Sequence, residues 1–496
     1  MRNNVKIPDR FVTVGVLAFG RLLQSVLQIV TVRLLTTVLS PLEVGRFYAL
    51  ASVQGWVSLM LGAAPWLYLN RNYLEWRRND LDGSAFGVFL GYTVFLGGLT
   101  ALIAWALLYF SVVSTTILWL VAGSILGLWM VGASVMSQTA LLVNLLGHSK
   151  TFVILRSGGM ITGLGLATWL TTSQANLAES WIFGLGVGNL GFACIAIVIL
   201  LRLSNLKFPK SLTKREDVIF LVSSNRTSGA SFMWPVMIMT GLYWVQSQGY
   251  RIPIAMYLGE SELGLFSVAY SMGANVVIAA EAVIVSQWLV PMYYRKIVGM
   301  NANETDEVWR DCVAVIFPVI MVVGVFSVFA GPFMLRLLAH DNFQAAVYLS
   351  IWGGLAESIR VIAGLFYIGG IGRQNTRNMI LPHIPGAMTV VVAAATIGYY
   401  NSLHWLGLVI ALSYFVLALS LWVYVDRKMI VELSIRDFRL PVVSIFLMTL
   451  MFVLAWVNHW YQDEIWSALG LMVLGGISLL GIFPSVRNLQ LEKRLE

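Results

Sequence analysis

Long apolar blocks separated by short polar links follow one another along the chain. Most blocks span about 20 residues, the length that a helix needs to cross the hydrocarbon core of a bilayer. The pattern therefore predicts an all-α polytopic membrane protein with about 14 transmembrane helices. Their approximate ranges are 11–32, 46–66, 84–110, 117–143, 152–172, 181–201, 229–249, 265–290, 310–335, 343–369, 379–400, 405–425, 440–458 and 465–483.

Composition excludes other broad classes of protein. Of the 496 residues, 58% are hydrophobic and 11% are charged, whereas a soluble domain carries about 25% charged residues. Cys194 and Cys312 lie within apolar blocks, with no pattern of disulfide partners. The net charge of +8 is scattered in small clusters between the blocks, so we expect membrane lipids as neighbours and no nucleic-acid partner.

The basic residues indicate the orientation in the membrane. All of the lysines fall on alternate links, together with arginines such as Arg156, which follows the fourth predicted helix. With an even number of spans the two termini share this basic side, which the positive-inside rule makes cytoplasmic. Six arginines depart from the pattern, four on the opposite side and two within spans: Arg33, Arg46, Arg251 and Arg336, then Arg21 and Arg360.

Two links repeat one pattern. The link after the first predicted helix runs from Arg33 to Glu43-Val-Gly-Arg-Phe47, and the link after the seventh runs from Arg251 to Glu262-Leu-Gly-Leu-Phe266. In each, an apolar bridge leads from the arginine to Glu-x-Gly-x-Phe, which opens the next helix. A tight interfacial turn explains the motif locally, because Glu suits a helix N-terminus and Gly frees the backbone.

The spacing of the repeat indicates the domain organisation. Each half is about six helices long, and because six is even the halves have the same topology. The predicted parts are an N-terminal six-helix lobe (1–201), a basic cytoplasmic linker (202–228), a C-terminal six-helix lobe (229–425), and two extra transmembrane helices with a cytoplasmic tail (426–496). Two like-oriented lobes with a cleft between them are typical of an alternating-access transporter.

At these motifs the sequence resembles a known family. The two Glu-x-Gly links, the stretch Gly331-Pro-Phe-Met-Leu-Arg336 that leads into Phe343-Gln-Ala-Ala346, and the turn Gly372-Arg373 look like those of polysaccharide flippases. These flippases belong to the multidrug/oligosaccharidyl-lipid/polysaccharide (MOP) transporter superfamily. The resemblance implies export of undecaprenyl-diphosphate-linked oligosaccharides across the bacterial inner membrane. Fourteen spans rather than twelve also fit the related lipid II flippases.

Motifs for catalysis are missing from the chain. It has no phosphate-binding Gly-x4-Gly-Lys-Ser/Thr loop, no His-Glu-x-x-His and no Cys-x-x-Cys, and its five histidines stand alone. We therefore expect no enzyme activity, cofactor or metal, and any driving force must come from an ion or substrate gradient. A multidrug extruder is the rival transporter. A membrane glycosyltransferase or polymerase is the rival of another class, although the external links are short for a catalytic platform.

The first predicted helix carries a polar stripe. Arg21, Gln24, Ser25 and Gln28 are spaced so that they share one helical face. The stripe predicts either a water-filled lumen or hydrogen bonding between helices in a packed lobe. In the first case Arg21, Gln24 and Gln28 would bind substrate, because the donors of an arginine suit a diphosphate.

The eighth predicted helix carries Glu281 on a face shared with Ser267, Ser271 and Asn275. No Lys or Arg lies within one turn of Glu281, so its partner must come from another helix. Glu281 is either a proton carrier or half of a structural pair with an arginine such as Arg21 across the lobes. Asn275 is a candidate ligand for the substrate. If Arg21 and Glu281 pair, diphosphate and proton would occupy the cavity in exclusive states, which is antiport.

Four further residues complete the candidates. Glu357 and Arg360 are three apart on the tenth predicted helix and can pair with each other. They are grouped with Glu281 as candidates for ion coupling, with a structural ion pair as the alternative. Arg33 and Arg251, near the external membrane edge, either guide a phosphate or anchor helix ends. We also expect polysaccharide polymerase or export proteins as partners.

Overall fold

The computed structural model describes residues 10–110, 112–115, 117–174, 176–204, 226–297, 300–372, 379–400, 403–425 and 435–488. Most of the predicted basic linker 202–228 lies outside these ranges. Throughout them the regular elements are helices. The first eight are α1 (Arg10–Val38), α2 (Pro41–Trp56), α3 (Ala63–Arg78), α4 (Asp82–Tyr109), α5 (Trp119–Leu145), α6 (Ser149–Gln174), α7 (Ala178–Leu203) and α8 (Arg226–Ser247).

The remaining helices follow in the same way. They are α9 (Arg251–Tyr257), α10 (Glu260–Glu281), α11 (Val290–Lys296), α12 (Ala302–Leu338), α13 (Ser350–Gly372), α14 (His383–Tyr400), α15 (Leu406–Val425), α16 (Ile435–Val457) and α17 (Glu464–Asn488). Two π-helical segments join neighbours without a break, Val57–Gly62 between α2 and α3 and Ala282–Leu289 between α10 and α11. A 3₁₀ segment, Asp341–Leu349, leads into α13.

The chain is an all-α, multi-pass membrane protein, as the hydropathy predicts. In the described part of the chain, 12 helices are long and apolar enough to cross a membrane, and His383–Ile397 in α14 is a shorter apolar helix. The seventh predicted span corresponds to the helix α8, which is not among these 12. The second span is longer than predicted, because the helix continues to Arg78 through polar residues that a hydropathy window leaves out.

Packing divides the chain into two compact units, Met1–Trp244 and Val245–Glu496. Most of α8 therefore packs with the first unit, whereas the repeat assigned it to the second lobe. Its contacts explain this placement. The Thr240 hydroxyl donates to the carbonyl of Leu59 (2.7 Å), and the Trp244 indole donates to the carbonyl of Ser52 (2.9 Å).

The first copy of the Glu-x-Gly-x-Phe motif holds three parts of the first unit together. Glu43 lies in the first turn of α2, which Ser40 caps, and it is buried and paired with Arg46. Its other carboxylate oxygen accepts the backbone N–H of Ala178 at the start of α7 (2.9 Å). Arg46 in turn donates to the Ser114 hydroxyl in the link between α4 and α5 (2.7 Å). The motif therefore joins α2 to α7 and to the α4–α5 link, in addition to forming a turn.

Close helix contacts at small residues organise the second unit. A side chain at Gly273 of α10 would collide with the backbone of α13 at Ser350 and Gly354, and one at Gly354 would collide with α12 at Ser327. The Ser327 hydroxyl donates to the carbonyl of Gly273. Backbone contact at this level fixes the relative height of α10 and α13, which carry Glu281, Glu357 and Arg360.

The last two helices pack on α12, outside the predicted repeat. Met448 and Ala455 of α16 and Leu474 of α17 share a buried cluster with Val322 and Phe333 of α12. The Ser444 hydroxyl also donates to the carbonyl of Ile477 (2.6 Å).

Candidate functional site

The polar stripe of α1 faces open space rather than a packed interface. Arg21 and Gln28 are exposed, and Gln24 and Ser25 are half-buried. At about 100° per residue these side chains lie within about 60° of Arg21. Farther along α1, Val32 and Leu35 point the same way and are buried in the protein. One face of α1 is therefore packed in its C-terminal half and open in its N-terminal half.

The opposite side of α1 is apolar and exposed. It carries Phe19, Leu22, Val26 and Val30, which lie about 100–180° from Arg21. Exposed apolar side chains of this kind suit contact with lipid. Arg33 falls on this apolar face, about 120° from Arg21. Its position at the end of the helix favours the anchoring interpretation over a role beside Arg21.

Arg156 lies within α6, seven residues after the helix begins at Ser149. The sequence pattern places it on the basic, cytoplasmic side, after the fourth predicted helix. In the structure Arg156 is half-buried on α6, which contacts α1 where Gly20 meets Val153, and the charge of Arg21 acts on Arg156. The structure therefore brings the Arg156 guanidinium towards the polar face of α1. The sequence of α1 alone could not predict this neighbour, because Arg156 lies on another helix.

The three charged residues assigned to ion coupling form one cluster in the second unit. Arg360 is paired with Glu357, one turn earlier on α13, and with Glu281 on α10. A second bond joins Arg360 Nη1 to Glu281 Oε1 at 3.4 Å. The predicted Glu357–Arg360 pair is present, and the partner of Glu281 comes from another helix. That partner is Arg360 of the same unit.

Tyrosines surround this cluster. The Tyr270 hydroxyl donates to Glu357 Oε1 (3.2 Å). Tyr250, in the turn before α9, interacts electrostatically with Glu357. Burial raises the pKa of the Tyr250 phenol, while the neighbouring Arg251, to which it is hydrogen-bonded, acts in the opposite direction.

Tyr270 and Arg251 relate differently to the site residues that the sequence predicts. Tyr270 was missed, although at 100° per residue it lies within about 20° of Glu281 on the same helix. Arg251 begins α9 and borders the tyrosine cluster. Asn275 is half-buried on α10, with no hydrogen bond among the described residues. The structure thus places Arg251 beside Tyr250, and it leaves Asn275 outside the hydrogen-bonded network of the carboxylates.

The two clusters offer different chemistry. On α1 and α6, exposed guanidinium and amide donors can bind an anion, because arginine forms paired hydrogen bonds with phosphate oxygens. Around Arg360, two carboxylates share one cation and carry a net negative charge when both are ionised.

Comparison with known proteins shows likeness at the level of structure. No protein-family model matches the chain, and no curated protein sequence matches it. The lipid II flippase MurJ, in an inward closed conformation, superposes with a TM-score of 0.65 at 12% identity, over 97% of this chain and 99% of that one. A mutant of the Vibrio cholerae MATE transporter VcmN gives a TM-score of 0.56 at 13% identity, over 84% and 96%. The chain therefore has the fold of this lipid II flippase and of this MATE transporter.

Proposed function

We propose that the chain is a flippase that moves an undecaprenyl-diphosphate-linked oligosaccharide, a repeat unit of a surface polysaccharide, from the cytoplasmic to the periplasmic leaflet. Transport would follow alternating access in the bacterial cytoplasmic membrane. The observation that carries this proposal is the open polar face of α1, where Arg21 is exposed in the middle of a membrane helix. An arginine at that depth costs about 2.5–3.5 kcal/mol, so it requires an aqueous or anionic environment.

The fold supports a transporter and leaves two related alternatives. The likeness to MurJ favours a lipid II-type flippase. It covers 97% of this chain, so α16 and α17 are both part of the match. A multidrug extruder is favoured by the likeness to VcmN. The polar face of α1 carries arginine and amides but no carboxylate, whereas a lumen for cationic drugs needs acidic groups. We therefore place the extruder last.

A deletion strain of the native host tests the proposed substrate. Loss of the protein should stop surface polysaccharide and leave lipid-linked repeat units in the cytoplasmic leaflet, where added periplasmic polymerase cannot reach them. Mass spectrometry of the lipid fraction and glycan staining measure both effects. Normal glycan together with increased sensitivity to cationic drugs would instead support the extruder.

The orientation gives a separate prediction. With basic links in the cytoplasm, alkaline phosphatase and green fluorescent protein fusions should report Asp82 and Glu496 as cytoplasmic and Gln174 as external. The physical reason is the cost of moving clustered positive charge across the membrane. An external C-terminus would show that the number of spans that cross the membrane is odd.

Proton coupling is the second part of the proposal, and it places the proton on the Glu281–Arg360–Glu357 cluster. Glu281 is the more exposed carboxylate, with 23% of its side chain accessible against 9% for Glu357. Glu281 can therefore exchange a proton while Glu357 keeps Arg360 paired. Release of Arg360 from Glu281 would change the contact between α10 and α13, which links protonation to helix movement.

Glu281→Gln should separate transport from its driving force. The variant should fold, because Arg360 retains Glu357, and it should exchange substrate down its own gradient. It should lose acceleration by a pH gradient in proteoliposomes. Glu262→Gln, at the other end of α10, is the matched control and should keep the response. A full response to the pH gradient in Glu281→Gln would remove Glu281 from coupling.

A further inference from the structure

We infer that Arg156 is a second cationic ligand for the diphosphate, acting together with Arg21 across the contact between α1 and α6. This inference rests on the proposed function, since it names a further residue of the same binding face. Neither the polar stripe nor the fold comparison assigns a role to Arg156.

Close packing of α1 on α6 fixes the relative height of Arg21 and Arg156 along the two helices. A side chain at Gly20 would collide with Val153, so the two helices touch at this point. Arg21 follows Gly20 directly, and Arg156 lies three residues beyond Val153, on the same face of α6. Gly20 itself points to one side of the polar stripe, about 100° from Arg21. The side chains of α6 therefore border the stripe.

Neither arginine of the pair has a counter-charge among the described residues. Within the part of the chain that the structure describes, no carboxylate is paired with Arg21 or Arg156. Arg21 has one weak side-chain bond, from Nη1 to Gln24 Oε1 at 3.4 Å. Arg46 and Arg360, in contrast, are each paired with glutamate. Two guanidinium groups within a membrane helix pair, with no carboxylate partner among the described residues, favour the binding of an anion.

The geometry favours a ligand with two adjacent phosphates. Each guanidinium presents a rigid fork of donors that matches phosphate oxygens, and the two forks come from different helices. Arg21 is exposed and Arg156 is half-buried, so a ligand can reach both side chains. A diphosphate supplies enough charge and oxygens for two forks, whereas the headgroup of an ordinary anionic phospholipid carries a single phosphate charge.

Binding to the purified protein in detergent tests the inference. The probes are undecaprenyl diphosphate, inorganic pyrophosphate and phosphatidylglycerol, and the variants are Arg156→Gln and Lys150→Gln. Arg156→Gln should weaken undecaprenyl diphosphate binding about tenfold or more, because a charge-assisted bond is lost. It should also keep or raise the melting temperature of the ligand-free protein, because a like-charge repulsion disappears. Lys150→Gln removes the same charge from the exposed start of α6 and should change neither quantity.

The outcomes separate this inference from the proposed function. Unchanged affinity in Arg156→Gln, with flux lost in Arg21→Ala, would overturn the role of Arg156 and leave the flippase standing. Arg156-dependent binding of both diphosphates without flux of a lipid-linked glycan would support the site and contradict the flippase. A lower melting temperature with unchanged affinity would make Arg156 structural. If Arg156→Gln weakened the binding of phosphatidylglycerol as much as that of undecaprenyl diphosphate, the assignment to a diphosphate would be overturned.

Discussion

Arg21→Ala should abolish glycan export while the protein remains inserted at its normal level. Arg21 is exposed and has no carboxylate partner among the described residues, so its removal leaves no buried charge behind. Loss of two charge-assisted bonds to a diphosphate weakens binding about 100-fold or more. Surface glycan per molecule of membrane-inserted protein is the quantity to measure.

Two variants sharpen the test of Arg21. Arg21→Lys should recover only part of the export, because a point charge cannot reproduce the fork of donors. Arg33→Ala removes an arginine from the apolar face of the same helix and should leave most export intact. Normal export in Arg21→Ala at the wild-type protein level would contradict the assignment. Equal losses in Arg21→Ala and Arg33→Ala would point to a general effect on α1.

Arg360→Ala should destabilise the second unit more than any other single change to a charged residue discussed above. It leaves Glu281 and Glu357 without their shared cation. Breaking a buried ion pair by removing one partner costs about 3–5 kcal/mol, and here two carboxylates are affected. Thermal unfolding of the purified protein in detergent should show a large decrease in melting temperature.

The triple variant Arg360→Leu, Glu281→Gln, Glu357→Gln distinguishes lost charge balance from lost packing. It removes the cation and both carboxylates together, so its melting temperature should recover most of the decrease. Recovery of stability without recovery of pH-driven transport would agree with the coupling proposal. An Arg360→Ala protein as stable as the wild type would show that the carboxylates find other partners or become neutral at little cost.

The apolar pattern predicts an all-α membrane protein and the order of its long helices, because the length of a membrane helix is set by the bilayer. It does not predict how far α2 and α3 run on as one continuous helix to Arg78. Outside the apolar region the length of the helix depends on packing and capping. The packing of α8 with the first unit has the same origin, since contacts between helices are not encoded in hydropathy.

The candidate site was predictable only where its residues share one helix. The stripe that begins at Arg21 follows from helical spacing, as does the Glu357–Arg360 pair. The bond between Arg360 and Glu281 depends on the close contact at Gly273 and Gly354, which sets α10 against α13. The approach of Arg156 to Arg21 depends in the same way on the contact at Gly20. A single sequence gives no measure of the relative height of two helices.

Translocation by the purified protein tests the central proposal most directly. Proteoliposomes would contain a fluorescent undecaprenyl-diphosphate-linked oligosaccharide, and a membrane-impermeant quencher would report the fraction of the probe in the outer leaflet over time. Wild-type protein should move the probe between leaflets faster than protein-free vesicles do, Arg21→Ala should not, and a fluorescent phosphatidylglycerol should stay in place. Movement no faster than in protein-free vesicles, or equal movement of both lipids, would contradict a flippase for diphosphate-linked glycans.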